Sequence, residues 1–445
     1  MMDVLQPLPA REILLPGESL ASFLGRTSEA MGYESVGRLL GLIPDRTDMA
    51  ANVNQLAPGV AIEALSYRLK RSPEALLDMT VHRFASLLVL SEAGNSPASV
   101  CDRKTILRYF SASSPICPQC LSEDVTPYDR LYWSLRPLPL CTQHAIILIA
   151  QCPACRRRLR PTRDHRIKCR CGLDLRKADA APSGATASKL VHQAEAWLRD
   201  QRSPLCGMST AACFWWVDRL AKAVSETATW LEYSSHELRI SADCSTESLA
   251  WLAALDILTN WPDRLEDFLE ESQRIPKHKE TPPGVARAFR KLLQPAVHLE
   301  RLGFSAPADA LRSYVLRRYP TGHRSKKDGL FQSTKSGEVK IRPWVTPATA
   351  ADTLKLPYGT VVELIERGVL AGTVGETVLG GRSVGLVSRD SIIELKRALT
   401  SATVPRESPQ GLGLSGQSVI DLIQATKVTT HSADRSTVLE PSTRF

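Results

Sequence analysis

No stretch of this 445-residue sequence approaches the roughly 20 consecutive apolar residues that a membrane-spanning helix requires. Ala145 to Ala150 is far too short, and the first residues, with Asp3 and no apolar core, do not read as a signal peptide. A cytoplasmic protein without a membrane partner is therefore expected. The sequence contains no P-loop and no G-x-S-x-G nucleophile motif. Its acidic residues form no evident cluster of the kind that metal-dependent nucleases use. Together these absences favour a binding protein over an enzyme. Aromatic residues make up only 6% of the chain, but apolar residues reach 43%, enough for several globular cores at this length.

What the sequence does have is paired cysteine. Seven of its eleven cysteines, with one histidine, lie between Cys117 and Cys171. They run Cys117-Pro-Gln-Cys120, twenty residues, Cys141-Thr-Gln-His144, then Cys152-Pro-Ala-Cys155, thirteen residues, Cys169-Arg-Cys171. Each half offers four soft ligands, the sets that tetrahedral zinc takes in closed, structural sites. Buried free thiols or disulfides are the alternative, but a reducing compartment disfavours disulfides and four well-spaced pairs rarely arise by chance. Two structural zinc ions are expected, with no open position for catalysis. Cys101, Cys206, Cys213 and Cys244 have no paired neighbour and read as small packed hydrophobes.

The formal net charge is +9, and it is unevenly placed. From Cys117 to Lys177 there are twelve Lys or Arg against five Asp or Glu, an excess of seven. Such a patch suits double-stranded DNA, although a merely solvated basic face has the same composition. Arg156-Arg157-Arg158 follows directly on Cys155, where a metal-fixed knuckle would hold those side chains at a defined place.

The rest of the chain reads as mainly helical, organised in parts. Residues 1–110 form an N-terminal helical domain. Within it Glu18 and Ser19 open a helix, acid and hydroxyl standing where the free amides and positive dipole end favour them. It carries Leu20, Phe23 and Leu24 and stops at Gly32, and Val36 to Leu42 forms a short helix. A two-helix unit from Ala61 turns at Lys70-Arg71 and restarts at Ser72-Pro73, in the manner of a helix-turn-helix. Residues 111–177 are the double zinc-finger module, where Tyr132 and Trp133 pack over the metal knuckle. The small, polar run 178–189 reads as a linker. A helical domain over 190–325 follows, its tryptophans spaced as core. Residues 340–400 read as a winged helix-turn-helix. In it Thr346 caps a first helix, a second carries Val361, Leu364 and Ile365, a hairpin forms around Gly380-Gly381-Arg382, and a third helix starts at Ser388-Arg389-Asp390. Tyr358, Thr360 and Glu363 would open its reading helix, with Arg382 on the wing. From 401 to 445 a Ser/Thr/Gly/Pro-rich tail is expected to be disordered, apart from a short helix at Val419 to Ala425.

Three motifs carry a family resemblance. Leu138-Pro-Leu-Cys141-Thr-Gln-His144, then Cys152-Pro-Ala-Cys155 and on to Pro161, closely resembles the TniQ family, which includes the TnsD-type target selectors of bacterial transposons. Leu15-Pro-Gly-Glu18-Ser19-Leu20-Ala-Ser22-Phe23-Leu24-Gly-Arg26 is similar to that family's opening motif, and Trp261-Pro262 with Phe268 resembles a phrase of its helical region. The likeness is strongest over roughly residues 10 to 180. It implies a bacterial, nucleoid-associated, non-catalytic transposition protein. Such a protein selects the DNA target, directly or through an RNA-guided complex, and recruits the transposon's AAA+ ATPase, which brings the transposase. It also implies that Cys117, Cys120, Cys141 and His144 hold one zinc, and Cys152, Cys155, Cys169 and Cys171 the other. A zinc-containing transcription regulator would use the same parts, and a zinc-dependent nuclease is a further alternative.

Overall fold

The computed structural model describes residues 7–9, 12–41, 52–90, 107–241, 244–272, 285–318, 330, 344–376 and 383–401. Among them the chain is mainly helical, with almost no regular strand, and no helix is long and apolar enough to cross a membrane. It divides into two compact units. One comprises Met1–Ser272 with Leu299–Ala306, the other Gln273–His298 with Pro307–Phe445.

In the first unit, α1 (Leu20–Ala30) starts where Ser19 Oγ accepts the Ser22 amide at 3.2 Å, satisfying one of the orphan amides of a helix start. Ala21 N is taken up by Asn54 Oδ1, 33 residues away, at 2.7 Å. Gly32, at φ +70°, follows the helix end. The short α2 (Val36–Leu40) and the pair α3 (Val60–Leu69) and α4 (Pro73–Leu77) complete this layer. The turn between α3 and α4 is as the sequence indicates: Lys70 adopts a left-handed conformation at φ +52°, Ser72 Oγ accepts the Ala75 amide, and Pro73 opens α4. Leu20, Phe23, Leu24, Ile62, Leu65 and Leu76 share one core. A one-turn helix, α5 (Ala85–Leu88), follows in the chain.

Glu18 does not act as a helix-dipole partner. It is 2% exposed and accepts the Arg26 guanidinium on both oxygens, at 2.8 and 2.7 Å. Arg26, 5% exposed, also donates to Glu12 at 2.8 Å and to the Ile13 carbonyl at 2.7 Å. Burial works against the Arg26 charge, but the hydrogen bond and charge of Glu18, with Glu12 and Glu29 behind it, outweigh burial and raise its pKa. Ser22 Oγ donates to Glu18 at 2.9 Å and accepts the Asp129 amide at 3.0 Å. Asp129, 1% exposed, receives Arg163 at 2.5 Å and Arg166 at 3.1 Å. Arg166 lies against α1 at Gly25, where any Cβ would stand 2.9 Å from its Nε. Burial, and then the charge of Arg163, draw the Arg166 guanidinium down to about 10, so it stays a cation at neutral pH.

The cysteine-rich region is built from short bridges rather than a sheet: Ile116 with Ile149, Leu140 with Ile147, Gln151 with Arg158, Lys168 with Asp174. Its core gathers Ile116, Leu121, Trp133, Leu148, Leu159 and Leu175 around the buried cysteines. Trp133 packs there as expected. Tyr132 instead meets Phe84 edge to face at 5.1 Å.

The expected linker at 178–189 is not one. Ile147 N donates to the Ala181 carbonyl at 2.9 Å and Ser183 N to that of Ala145 at 2.8 Å, so this run forms an extra ply on the strand-like segment Ala145–Ile147. Gly184 is pressed against Leu238, whose carbonyl oxygen would lie 2.4 Å from a Cβ. The helix α7 (Ala185–Asp200) begins inside the run. It is followed by α8 (Thr210–Ser225), α9 (Ala228–Glu237), α10 (Thr246–Thr259) and α11 (Asp263–Ser272). Of these, α10 is buried without a break from Ala250 to Leu258, which marks it as the central helix. Trp216, Trp230 and Trp251 are buried in this bundle, as their spacing indicates.

The second unit contains α12 (Val285–Ala288), α13 (Arg290–Arg301) up to His298 and α14 (Ala306–Arg317) from Pro307, with Phe289 against Tyr314 edge to face at 5.8 Å. Then come β1 (Trp344–Val345), α15 (Pro347–Leu354), α16 (Tyr358–Glu366), β2 (Gly372–Glu376), β3 (Ser383–Ser388) and α17 (Arg389–Ser401). The strands form an antiparallel sheet in the order β1-β3-β2, with Gly372 opposite Val387 and Glu376 opposite Ser383. Gly372 is required by close approach, since a Cβ would lie 2.4 Å from the Leu386 carbonyl oxygen. Thr346 caps α15 through the Thr349 amide, and Gly368, at φ +74°, follows α16. The loop around Arg324 to Lys327, the hairpin tip with Arg382, and the tail after Ser401, with its expected helix at Val419 to Ala425, lie outside the described residues.

The buried ion network predicts which substitutions unfold the first unit. Asp129→Ala leaves Arg163 and Arg166 without their carboxylate and is expected to cost about 3–5 kcal/mol. Gly25→Ala, which drives a methyl group into Arg166, should destabilise in the same direction. Urea denaturation followed by circular dichroism checks both, with the exposed pair partner substitution Glu34→Ala as a control that leaves the midpoint in place.

Candidate metal centre

Both ligand sets assemble. The ligand atoms of Cys117, Cys120, Cys141 and His144 all lie within 4.8 Å of one another, and so do those of Cys152, Cys155, Cys169 and Cys171. In the first set His144 Nδ1 is 3.3 Å from both Cys117 Sγ and Cys120 Sγ and 3.7 Å from Cys141 Sγ, and Cys120 and Cys141 are 3.5 Å apart. In the second, Cys152–Cys171 and Cys155–Cys169 are each 3.7 Å. Tetrahedral zinc with bonds of about 2.3 Å to sulfur places its ligands about 3.8 Å apart, so both cages fit that ion.

Local backbone explains how each pair faces inward. Cys117 caps α6 (Pro118–Glu123), its Sγ accepting the Cys120 amide at 3.4 Å. The Cys141–His144 and Cys152–Cys155 turns share one design. In each, the residue after the last ligand, Ala145 (φ +51°) or Arg156 (φ +58°), turns left-handed and donates its amide to the carbonyl of the first ligand at 2.8 Å. The Cys169-Arg-Cys171 spacing departs from that pattern because it sits at a hairpin turn. Cys169 N donates to Leu173 O at 2.9 Å, Gly172 N donates to Cys169 O at 2.8 Å, and Gly172 takes φ +93°.

Crowding the thiols has an electrostatic cost that a dication removes. Hydrogen bonds with Cys117 and then Cys120 pull the Cys141 thiol down to about 2, while those with Cys117 and Cys141 push Cys120 far up. Glu123 holds the far side of the imidazole, with its Oε2 2.8 Å from His144 Nε2. A carboxylate there fixes the ring so that Nδ1 faces the metal position. Sequence reasoning missed Glu123, since an acid two residues before the end of no recognisable motif carries no signal of its own.

The basic excess sorts by position. Arg130 forks onto Asp124 at 2.9 and 3.0 Å, Arg136 pairs with Glu247, and Arg163 and Arg166 are buried on Asp129. The remaining eight, Arg156, Arg157, Arg158, Arg160, Lys168, Arg170, Arg176 and Lys177, are all exposed, and all follow Cys155. Among them, Arg176 is bound to Asp174 at 2.7 Å. The charge is thus gathered on the second metal set, with the expected Arg156–Arg158 in it.

The other expected contact residues fare differently. Tyr358 is 42% exposed at the start of α16. Thr360 is only 7% exposed, so its side chain belongs to the core side of α16 rather than to a reading face. From Tyr358 to Glu366, α16 contains no Lys or Arg, and Arg367 just beyond it is paired with Glu363. Arg382 falls outside the described residues.

The geometry is that of a helical domain built onto a pair of four-ligand metal knuckles. Residues 9–148 match the family model TniQ, a family associated with selecting targets for transposition. The match takes in the motif around Glu18 to Arg26 and the whole Cys117, Cys120, Cys141, His144 set. It stops before Cys152, so it is narrower than the likeness to residue 180 that the sequence suggests. Comparison with curated proteins found no match.

Elemental analysis of the purified chain is expected to give two zinc ions. Cys120→Ser should lower this to about one and loosen the cysteine-rich region, because metal binding and folding are coupled in such sites. Unchanged zinc content would remove Cys120 from the ligand set.

Proposed function

We propose that this protein is a non-catalytic target-selection factor for transposition, one that engages double-stranded DNA and recruits the transposon's AAA+ ATPase and, through it, the transposase. The observation that carries the reading is the joining, within one compact unit, of a TniQ-matching segment to a metal knuckle bearing eight exposed cations. The two metals are zinc, and their role is to fix side chains, since every ligand position is filled from the chain and none is left for substrate.

In this reading Arg156, Arg157 and Arg158 grip phosphates without regard to sequence. The α15–α17 region with its hairpin is a winged helix-turn-helix that adds a second contact. Its α16 supplies Tyr358 rather than cations, so that contact is to base edges or sugars and adds little to salt-dependent affinity. The α3–α4 pair is a helix-turn-helix in outline that faces protein as readily as DNA. An RNA-guided complex is the alternative route to the target. The runner-up is a zinc-containing transcription regulator, favoured by the helix, helix, hairpin, helix order of the second unit.

Co-purification with the AAA+ ATPase encoded beside this protein separates the two readings. Retention of the ATPase on the immobilised chain is expected, and its failure to bind in the presence of ATP and target DNA would leave the regulator. Cleavage of DNA on adding Mg²⁺ or Mn²⁺ would instead favour a nuclease.

For DNA, charge reversal of Arg156, Arg157 and Arg158 together should reduce the slope of log affinity against log salt by about three, equally on all sequences. Thr360→Ala should lower the thermal midpoint of the second unit and leave sequence preference unchanged. Filter binding at several salt concentrations and a thermal melt check the pair.

A further inference from the structure

The two metal cages differ in how their sulfurs meet solvent. Cys117, Cys120 and Cys141 are buried, and the fourth ligand is a nitrogen, which peroxides leave intact. In the other cage Cys152 alone is fully buried, Cys155 and Cys169 are partly exposed, and Cys171 is exposed. Cys171 sits on the turn Cys169–Gly172, between the exposed residues Arg170 and Gly172. Lys168, Arg176 and Lys177 are exposed on the same short hairpin, and Arg156 follows Cys155. Exposure admits a peroxide to sulfur, and the most exposed sulfur of the set is the first it reaches.

We propose that Cys152, Cys155, Cys169 and Cys171 form an oxidation-sensitive zinc site, at which a peroxide converts thiolates to disulfide and expels the metal while the Cys117, Cys120, Cys141, His144 site stays loaded. It rests on the reading of both cages as zinc sites. The Cys171 sulfur attacks one peroxide oxygen. The S–O bond forms, the O–O bond breaks, and the departing hydroxide takes a proton to become water. The Cys152 sulfur, 3.7 Å away, then attacks the resulting sulfenic acid. The S–S bond forms, the S–O bond breaks, and the second hydroxide is likewise protonated. Two thiolates, one hydrogen peroxide and two protons thus become one disulfide and two waters, with two electrons passing from sulfur to oxygen. Zinc, short of two ligands, leaves as the dication.

Closing 3.7 Å to a bond of about 2.05 Å requires one sulfur to move. The exposed turn at Cys169–Gly172 is the side that can move, because Cys152 is held in the core with its amide on the Arg157 carbonyl at 2.9 Å. Loss of the metal frees the turn from which Arg156, Arg157 and Arg158 project, so oxidation also loosens the basic face.

The test uses the full-length protein loaded with zinc, treated with hydrogen peroxide, with released metal followed by a chelating dye and cysteines mapped by alkylation and mass spectrometry. One zinc should leave at least about ten times faster than the other, as the difference in thiolate access dictates. The disulfide should map within Cys152, Cys155, Cys169 and Cys171, and dithiothreitol with added zinc should restore the starting content. Release of both ions at one rate, first loss from the Cys117 set, or no release would each overturn the proposal. Cys171→His, which keeps four ligands but removes the attacking sulfur, should abolish the fast phase. If that variant fails to hold its zinc, the wild-type mapping decides alone. A protein that carries fewer than two zinc ions before any oxidant is added defeats the metal assignment itself, a different failure from two ions lost indiscriminately.

Discussion

The first unit depends on a chain of buried charge that starts at Glu18 and ends at Arg166. Arg26 spans Glu18 and Glu12, Ser22 links Glu18 to the Asp129 backbone, and Asp129 receives Arg163 and Arg166. Apart from Glu12, which is partly exposed, the members lie inside the protein, where an unmatched charge is expensive and a matched, hydrogen-bonded one fixes geometry. The members come from α1, from the segment between Cys120 and Cys141, and from the loop between Cys155 and Cys169. The network therefore fastens the N-terminal helix to both metal-binding lobes at one point. Gly25 belongs to this arrangement as much as the charged residues do, because it leaves the space that the Arg166 guanidinium occupies.

Against that rigid joint the two cages do different work. The first has its three sulfurs buried and its imidazole braced by Glu123. The second stands at the surface, built on a turn rather than on a helix, and surrounded by cations. Stability and exposure to solvent are thus divided between two sites that would look equivalent if only the ligand types were compared.

The local rules of the sequence survive well in the structure. Ser19, Ser72 and Thr346 cap the helices expected of them, Pro73 opens α4, and the paired ligands close into two cages. Short-range geometry governs these features, and short-range geometry is written in neighbouring residues. What the sequence hides depends on distance along the chain. Glu18 reads as a helix-dipole residue until Arg26 and Asp129 are seen around it. Glu123 is an ordinary acid until His144 turns toward it. Thr360 lies at the start of a helix where contact residues are expected, but the fold turns that position inward. The run 178–189 has the composition of a linker, and composition says nothing about the open edge of Ala145–Ile147 that captures it.

That captured run changes where the molecule can be divided. Ala145–Ala150 is shared property: Ile147 is bonded to Ala181, Ile149 to Ile116, and the Ala150 carbonyl to the Leu159 amide. A boundary at residue 148, where the match to the family model ends, passes through the middle of this segment, and one at 178 strips away its outer ply. Either cut would leave unpaired backbone along an apolar strand, the kind of edge that recruits neighbouring chains. The length of chain that matches the family model and the length whose backbone bonds close on themselves are therefore different.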